Sequence, residues 1–399
     1  MLISKEVTEL GDYQMAVSEY LKLLEQENII PRIWSKDHTV WNPEPAEISN
    51  RLGWLDSPEE MVNNIDEINS FVEEVRAEGY THALLLGMGG SSLAPEVFRR
   101  VFGVKEGWLN LSVLDSTDPA KVLEYAKKLN PKKTLVIAST KSGGTIETLS
   151  FVKYFYNWLA DALGKEKAGK HYTAITDPGS GLQSLAEKLN FRKIFLNNPD
   201  IGGRYSALSY FGLVPAALVG IDIRQLLDRA NMMAARCKKS RNLKENPGAY
   251  LGAVMGEMAV TGRDKLTLIL SPEIAPIGAW LEQLIAESTG KEGKGILPID
   301  GEVLGSPEIY SNDRYFVSIQ IGEGNRYQNE INKLQEAGFP VIQLNMETIN
   351  DLCGEFFHWE LATIISAHRL QINPFDQPNV ESAKIAAKEM MKSYAASGS

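Results

Sequence analysis

His82-Ala83-Leu84-Leu85-Leu86-Gly87-Met88-Gly89-Gly90-Ser91-Ser92 is an apolar run that breaks into glycines and serines, and a helical pattern follows from about Ala94. The device returns at Thr134-Leu135-Val136-Ile137-Ala138-Ser139-Thr140-Lys141-Ser142-Gly143-Gly144-Thr145, with a helix that runs to about Leu163. Buried strand, tight loop and helix, in that order, are the units of a parallel sheet covered on both faces. The loops are where chemistry is expected. A helix N-terminus presents unpaired N–H groups and the positive end of a macrodipole, glycine lets backbone approach an anion, and hydroxyls add donors. Two such loops at strand ends of one sheet predict a pocket for a phosphorylated small molecule.

Working outward, the other apolar strands of this set are predicted at 109–115, 171–176 and 193–198. After a helical stretch over 223–261, a second set is predicted at 265–271, 295–299, 315–321 and 340–345. The alternation predicts an α/β protein of two doubly wound parallel-sheet domains, residues 76–220 and 221–372. Residues 1–75 read as helices instead. There 13–26 is amphipathic, 57–78 opens on the start signal Ser57-Pro58-Glu59-Glu60, and the Trp- and Pro-containing stretch 33–55 is an irregular cap between them. Residues 373–399 are expected to form a loop and a helix from Pro378 that packs back on the active site and frays over 396–399.

At 399 residues the chain is too long for one ordinary core, and its 44% hydrophobic and 23% charged residues are those of a globular protein. No apolar run reaches the roughly 18 residues of a membrane span, and Met1-Leu2-Ile3-Ser4-Lys5-Glu6 shows no signal-peptide pattern. The net charge of −10 argues against a nucleic-acid partner. The densest basic patch, Arg236-Cys237-Lys238-Lys239-Ser240-Arg241, reads as a solvated helix end. Cys237 and Cys353, at no metal-type spacing, fit a reducing cytosol. The five histidines form no H-x-x-x-H or H-E-x-x-H pattern, so no metal is expected.

Candidate site residues lie far apart in the chain. Gly87-Met88-Gly89-Gly90-Ser91-Ser92 is a partial dinucleotide fingerprint, with Ser92 where the third glycine belongs and Asp115 placed like the ribose-binding acid. The second loop favours phosphate, through the hydroxyls of Thr140, Ser142 and Thr145 and the charge of Lys141, yet it lacks the Walker spacing. Gly202-Gly203-Arg204-Tyr205-Ser206 offers an arginine suited to an oxyanion, or a surface turn with a solvated arginine. In the helical segment 277–289, Gln283 and Glu287 are four apart and can point together into a site, with Glu287 a general-base candidate or a solvated glutamate. Near the end, two prolines fix Asn373-Pro374-Phe375-Asp376-Gln377-Pro378, and Lys384 falls in the second turn of the last helix.

Taken in order, these segments resemble the phosphoglucose isomerase family, glycolytic enzymes built from two sugar-isomerase (SIS) domains of flavodoxin-like architecture. The resemblance spans roughly residues 80–390. It rests on the two phosphate loops, Gly202-Gly203-Arg204-Tyr205-Ser206, Glu287-Ser288-Thr289-Gly290-Lys291, and Phe375-Asp376-Gln377 with Lys384 seven residues on. The chain's ends look most like the isomerase half of transaldolase–isomerase fusions. The resemblance implies a cytosolic homodimer that needs no cofactor and acts on a sugar phosphate, interconverting glucose 6-phosphate and fructose 6-phosphate. It implies that Gly90, Ser91, Thr140, Lys141, Ser142 and Thr145 hold the phosphate, and that Glu287 moves the proton between C2 and C1 through a cis-enediolate. Arg204 would stabilise the charge of that intermediate, Gln283 would orient Glu287 or the substrate, and Lys384 would assist at the ring oxygen. Gln377 is a further candidate. The family's ring-opening histidine segment, Gly-x-x-x-Asn-Gly-Gln-His, is not found here, which leaves His358 and His368 as possible substitutes. A non-catalytic SIS regulator that binds sugar phosphates, and an isomerase that also takes mannose 6-phosphate, stay open as alternatives.

Overall fold

The apolar runs pair into two five-stranded sheets in a computed structural model that describes residues 4–398 apart from 323 and 325, and omits the side chains of 4–7, 379–381, 383, 384 and 388. The strands are β1 Ser4–Glu9, β2 His82–Leu86, β3 Asn110–Leu114, β4 Thr134–Ser139, β5 Tyr172–Thr176, β6 Lys193–Leu196, β7 Lys265–Leu270, β8 Leu297–Ile299, β9 Arg314–Ile321 and β10 Val341–Met346. The first sheet has the order β3-β2-β4-β5-β6 and is parallel throughout. The second has the order β1-β10-β9-β7-β8, parallel except for β1, which pairs antiparallel with β10 from Ser4↔Met346 to Glu9↔Val341. All nine predicted strands are present within a few residues of their expected ends. The tenth corrects the reading of 1–75 as helical. Its sequence Ser4-Lys5-Glu6-Val7-Thr8-Glu9 has no apolar run, and an edge strand paired on one side needs none.

Strand alternation explains where the cores lie. Side chains two apart share a face: Ala83, Leu85, Leu135 and Ile137 of the first sheet join Leu266, Leu268, Val317 and Ile319 of the second in one central core. The other faces have separate cores, Leu84, Leu86, Val136 and Ala138 in one and Ile269, Phe316 and Val341 in the other. Between the sheets run the helices Tyr210–Leu218, Ile223–Cys237, Pro247–Val260 and Leu352–Leu370. The last is buried all round, which a central helix must be. Gly248, Gly252 and Gly256 let it close on its neighbour, since a methyl at each would stand 2.6 Å from Leu361, Ala362 or Ile365, and Arg369 respectively.

The helix expected over 57–78 is two helices, Ser57–Val62 and Ile65–Ala77. Ser57 does not cap the first of them; its hydroxyl is buried and donates to the Leu208 carbonyl at 2.6 Å. The final helix, Pro378–Ser397, reaches further than expected, and its described side chains stand exposed. No helix is long and apolar enough to cross a membrane among the described residues.

Candidate active site

In the first sheet, β2 leads into the helix Gly90–Phe102 on the central face and β4 into Ile146–Leu163 on the outer face. Neighbouring strands whose connections leave to opposite sides open a crevice at their carboxyl ends, the usual ligand position in such sheets. Both helices start there at residues, Gly89 and Thr145, that make no side-chain cap; Ser91 N and Ser92 N turn back to the Met88 and Gly89 carbonyls, whereas the first-turn N–H groups of the Ile146–Leu163 helix are the ones left for a ligand. Ser139 Oγ donates to the Ser91 carbonyl at 3.1 Å and ties the two loops together, while the hydroxyls of Thr140 and Thr145 lie 3.2 Å apart.

The Gly203–Tyr205 turn lies directly on this loop. A Cβ on Gly90 would stand 2.1 Å from the Gly203 carbonyl oxygen, so only glycine allows that approach. The turn carries Arg204, 4% exposed, whose donors are all engaged. Nε donates to Ser288 Oγ at 2.8 Å, Nη1 to Glu287 Oε2 and Gln377 Oε1 at 3.3 Å each, and Nη2 to the carbonyls of Pro374 at 2.7 Å and Asp376 at 3.1 Å. Ser288 also bonds the Tyr205 hydroxyl at 3.0 Å, and Trp54 stacks on that ring at 5.5 Å. Burial pushes the Tyr205 phenol up to about 12, so it is a neutral support for the arginine.

Glu287 and Gln283 come from the helix Ile277–Thr289, which starts at the end of the second sheet and ends beside the first crevice. Past its end, Lys291 is buried against the C-terminal loop. Its Nζ donates to the Asn373 carbonyl at 2.8 Å, the Asp376 carbonyl at 2.7 Å and Asp376 Oδ1 at 2.6 Å. Burial lowers its pKa, and Asp376 opposes that shift. Two cations thus gather one loop and hold Gln377 over the crevice.

One cavity of about 920 Å³ contains this machinery. Gly90, Ser91, Thr140, Lys141, Ser142 and Thr145 line one side, Arg204, Gln283 and Glu287 another, and Gln377 closes it. That volume suits a small-molecule ligand. Sequence distance is erased here, as the residues meet from positions about 290 apart.

Three expectations need amendment. Lys141, expected to bring charge to the phosphate, lines the cavity with its ammonium in contact with the Asp177 carboxylate and donating to the Pro199 carbonyl at 2.6 Å. His358 lies inside the central helix, fully buried with Nδ1 3.0 Å from Glu355 Oε2, and does not line the cavity. His368 faces a separate groove, its Nδ1 2.7 Å from the Tyr20 hydroxyl. A histidine on a buried helix is a packing residue first. The side chain of Lys384 lies outside the described residues. Glu47, Arg51, Asp177 and Pro199 also line the cavity and were not singled out from sequence. Their only local signal was the irregular composition of 33–55 and the end of a strand.

The phosphoglucose isomerase family profile matches residues 54–298. The glucose-6-phosphate isomerase of Parabacteroides distasonis is 28% identical over 388 residues, covering 84% of this chain and 85% of that one. That of Mycoplasmopsis pulmonis is 30% identical over 380 residues, covering 83% and 87%. A crystal structure of a glucose-6-phosphate isomerase from Chlamydia trachomatis shares the fold with a TM-score of 0.81 at 18% identity, over 98% of this chain and 89% of that one. With the profile spanning more than half the sequence and the crevice assembled from the family's motifs, the chain belongs to the phosphoglucose isomerase family.

Proposed function

We propose that this chain interconverts glucose 6-phosphate and fructose 6-phosphate. The observation that carries the reading is a glutamate, Glu287, paired with a buried arginine at 3.3 Å, in the same cavity as a hydroxyl-rich turn at a helix N-terminus. The phosphate sits against Ser91, Thr140, Ser142, Thr145 and the open N–H groups of the Ile146–Leu163 helix, with Gly90 leaving room and Lys141 fixing the wall. Glu287 takes the C2 proton of the open-chain aldose and returns it to C1. Arg204 offers the negative charge of the enediolate a permanently charged, fixed guanidinium, whose long Nη1 contacts to Glu287 and Gln377 are the ones a substrate oxygen can share. Gln283, one turn earlier on the same helix face, orients Glu287 or the sugar hydroxyls. Gln377 belongs to the loop that closes the cavity, and Lys384, six residues on from Pro378, is assigned the assisting role at the ring oxygen that the family resemblance implies. This reading gives ring opening to neither His358, buried beside Glu355, nor His368, which lines a separate groove. The chain acts in the cytosol as a homodimer, a reading supported by two buried free cysteines and by Ile385, Met390, Met391 and Tyr394 exposed along the last helix.

The test is fructose 6-phosphate supplied to the purified protein, with glucose 6-phosphate detected through its dehydrogenase, and solvent-hydrogen exchange at C2 followed in heavy water. Turnover with exchange supports the isomerase. Tight binding without exchange marks a sugar-phosphate-binding regulator instead, and equal rates on mannose 6-phosphate mark the broader isomerase.

A further inference from the structure

The crevice has a cation that no motif contains. The chain at Leu52 forms an antiparallel bridge with Ile201, and Gly53 N donates to the Asp200 carbonyl at 2.9 Å. This pairing fixes the N-terminal cap beside the Gly203–Tyr205 turn and brings Arg51 to the cavity wall. The Arg51 stem passes 3.8 Å from where a Cβ on Gly202 would be, and its side chain is only 20% exposed. Arg51 Nη2 donates to Glu47 Oε2 at 2.8 Å, and Nη1 to its neighbour's carbonyl at Asn50. Glu47 is 49% exposed, and both residues line the cavity with Lys141 and Ser142.

Charge accounting in the turn makes this matter. Lys141 is the cation within the phosphate loop, yet its ammonium is paired with Asp177, itself largely buried at 13% exposure. The pair brings little net positive charge to a bound anion. Burial raises the Asp177 pKa, and the Lys141 and Arg51 charges oppose that shift, which puts Arg51 in electrostatic reach of the same corner. The Arg51–Glu47 pair is a half-exposed i,i+4 contact, the kind that competes weakly with water and salt. A phosphate dianion is a better acceptor for a guanidinium fork than a single solvated carboxylate oxygen.

Resting on the isomerase reading above, we propose that Arg51 is a substrate-binding residue that exchanges Glu47 for the phosphate group of the sugar, supplying the net charge that Lys141 does not. The N-terminal cap is then part of the binding site. Glu47 keeps the guanidinium aimed at the crevice when no anion is present.

The experiment compares Arg51→Gln, Arg51→Lys and Glu47→Gln with the parent chain, by steady-state kinetics on fructose 6-phosphate and by calorimetric titration with inorganic phosphate. Arg51→Gln is expected to raise KM about 10-fold and weaken phosphate binding by a similar factor, with kcat held within about threefold, because a charge-assisted contact shared by ground and transition states is lost. Arg51→Lys recovers part of the loss, and Glu47→Gln lowers KM or leaves it alone. Unchanged KM and unchanged phosphate affinity in a folded Arg51→Gln chain, read by its melting temperature, overturn the proposal. So does a rise of KM in Glu47→Gln equal to that in Arg51→Gln, which would make the pair a structural strut. If the parent chain binds phosphate but does not isomerise, the isomerase reading fails while the titration still decides the role of Arg51.

Discussion

The two sheets have one strand order and two different fates. Numbering strands within each sheet, both read 2-1-3-4, with a fifth strand beyond: β6 parallel in the first sheet, β1 antiparallel in the second. Each therefore has a switch point where a strand feeds a helix at its carboxyl end. In the first sheet the loop is glycine and hydroxyl, and the helix ends open into the cavity. In the second, Ser271-Pro272-Glu273-Ile274-Ala275-Pro276 leads into Ile277–Thr289, and the Asp300 carboxylate lies against Gly278 in the first turn of that helix. The protein's own anion stands at the positive end of the second helix. The helix is then free to act as an arm that carries Gln283 and Glu287 to the other crevice. Identical topology allows a ligand site; loop chemistry decides which copy has one.

The comparison breaks first at Glu287. Glu287→Gln preserves shape and removes the base, so kcat should fall by roughly 10³-fold with little change in KM. The coupled assay reads this, and full turnover would show that the second sheet's arm does not perform the proton transfer.

Next come the two close-packed glycines, one at each switch point. A Cβ at Gly90 meets backbone, the Gly203 carbonyl at 2.1 Å, whereas one at Gly278 meets the end of a side chain, Asp300 Oδ1 at 2.0 Å. Gly90→Ala should cost about 3 kcal/mol of stability and most of the activity, because the Arg204 turn must move. Gly278→Ala should cost about 1 kcal/mol and spare turnover, as Asp300 can rotate away. Denaturant melts of both variants check the contrast; equal losses would mean that the second site is as rigid as the first.

Alkaline pH probes the support beneath Arg204. Burial holds the Tyr205 phenol at about 12 against an ordinary 10.0. The folded chain keeps this proton where the unfolded chain loses it, so the contribution is complete below pH 10 and disappears as pH rises through 12. A gap of that size corresponds to roughly 3 kcal/mol at most. Tyr205→Phe should flatten stability between pH 10 and 12 relative to the parent chain, and an unchanged slope would show that other groups govern the alkaline limb.

The smallest effect is expected outside the crevice. His368→Gln removes one hydrogen bond to Tyr20, worth about 1 kcal/mol, and should leave turnover within about twofold because His368 faces another groove. A large loss of kcat would return a histidine to the chemistry.

Much of this is legible in the sequence. The strand runs were visible because a strand buried on both faces must be apolar along its length, and the loops because glycine and hydroxyl clusters end such runs abruptly. The motif residues Arg204, Gln283 and Glu287 are legible as candidates, although Arg204 and Glu287, each taken alone, read more readily as solvated surface residues. The rest had no local signature. β1 is polar and owes its existence to the free edge of β10, more than 330 residues away. The central helix Leu352–Leu370 is buried on all sides, its Glu355, His358 and Glu360 included, and so has no amphipathic period to betray it. That helix also explains why His358 and His368 are misleading as candidates, since burial and orientation are properties of its neighbours. Lys141 and Asp177 lie 36 residues apart, and Arg51 meets the crevice only because Leu52 bridges Ile201.

Short-range periodicity and backbone sterics account for the inventory: two strand–loop–helix sets, each sheet covered on both faces, and a phosphate-type loop in the first. Chain closure settles which charges are already satisfied. Whether Lys141, Arg204 or Arg51 faces a ligand or an internal partner depends on groups brought within about 3 Å by chain closure, and no reading along the chain contains that distance.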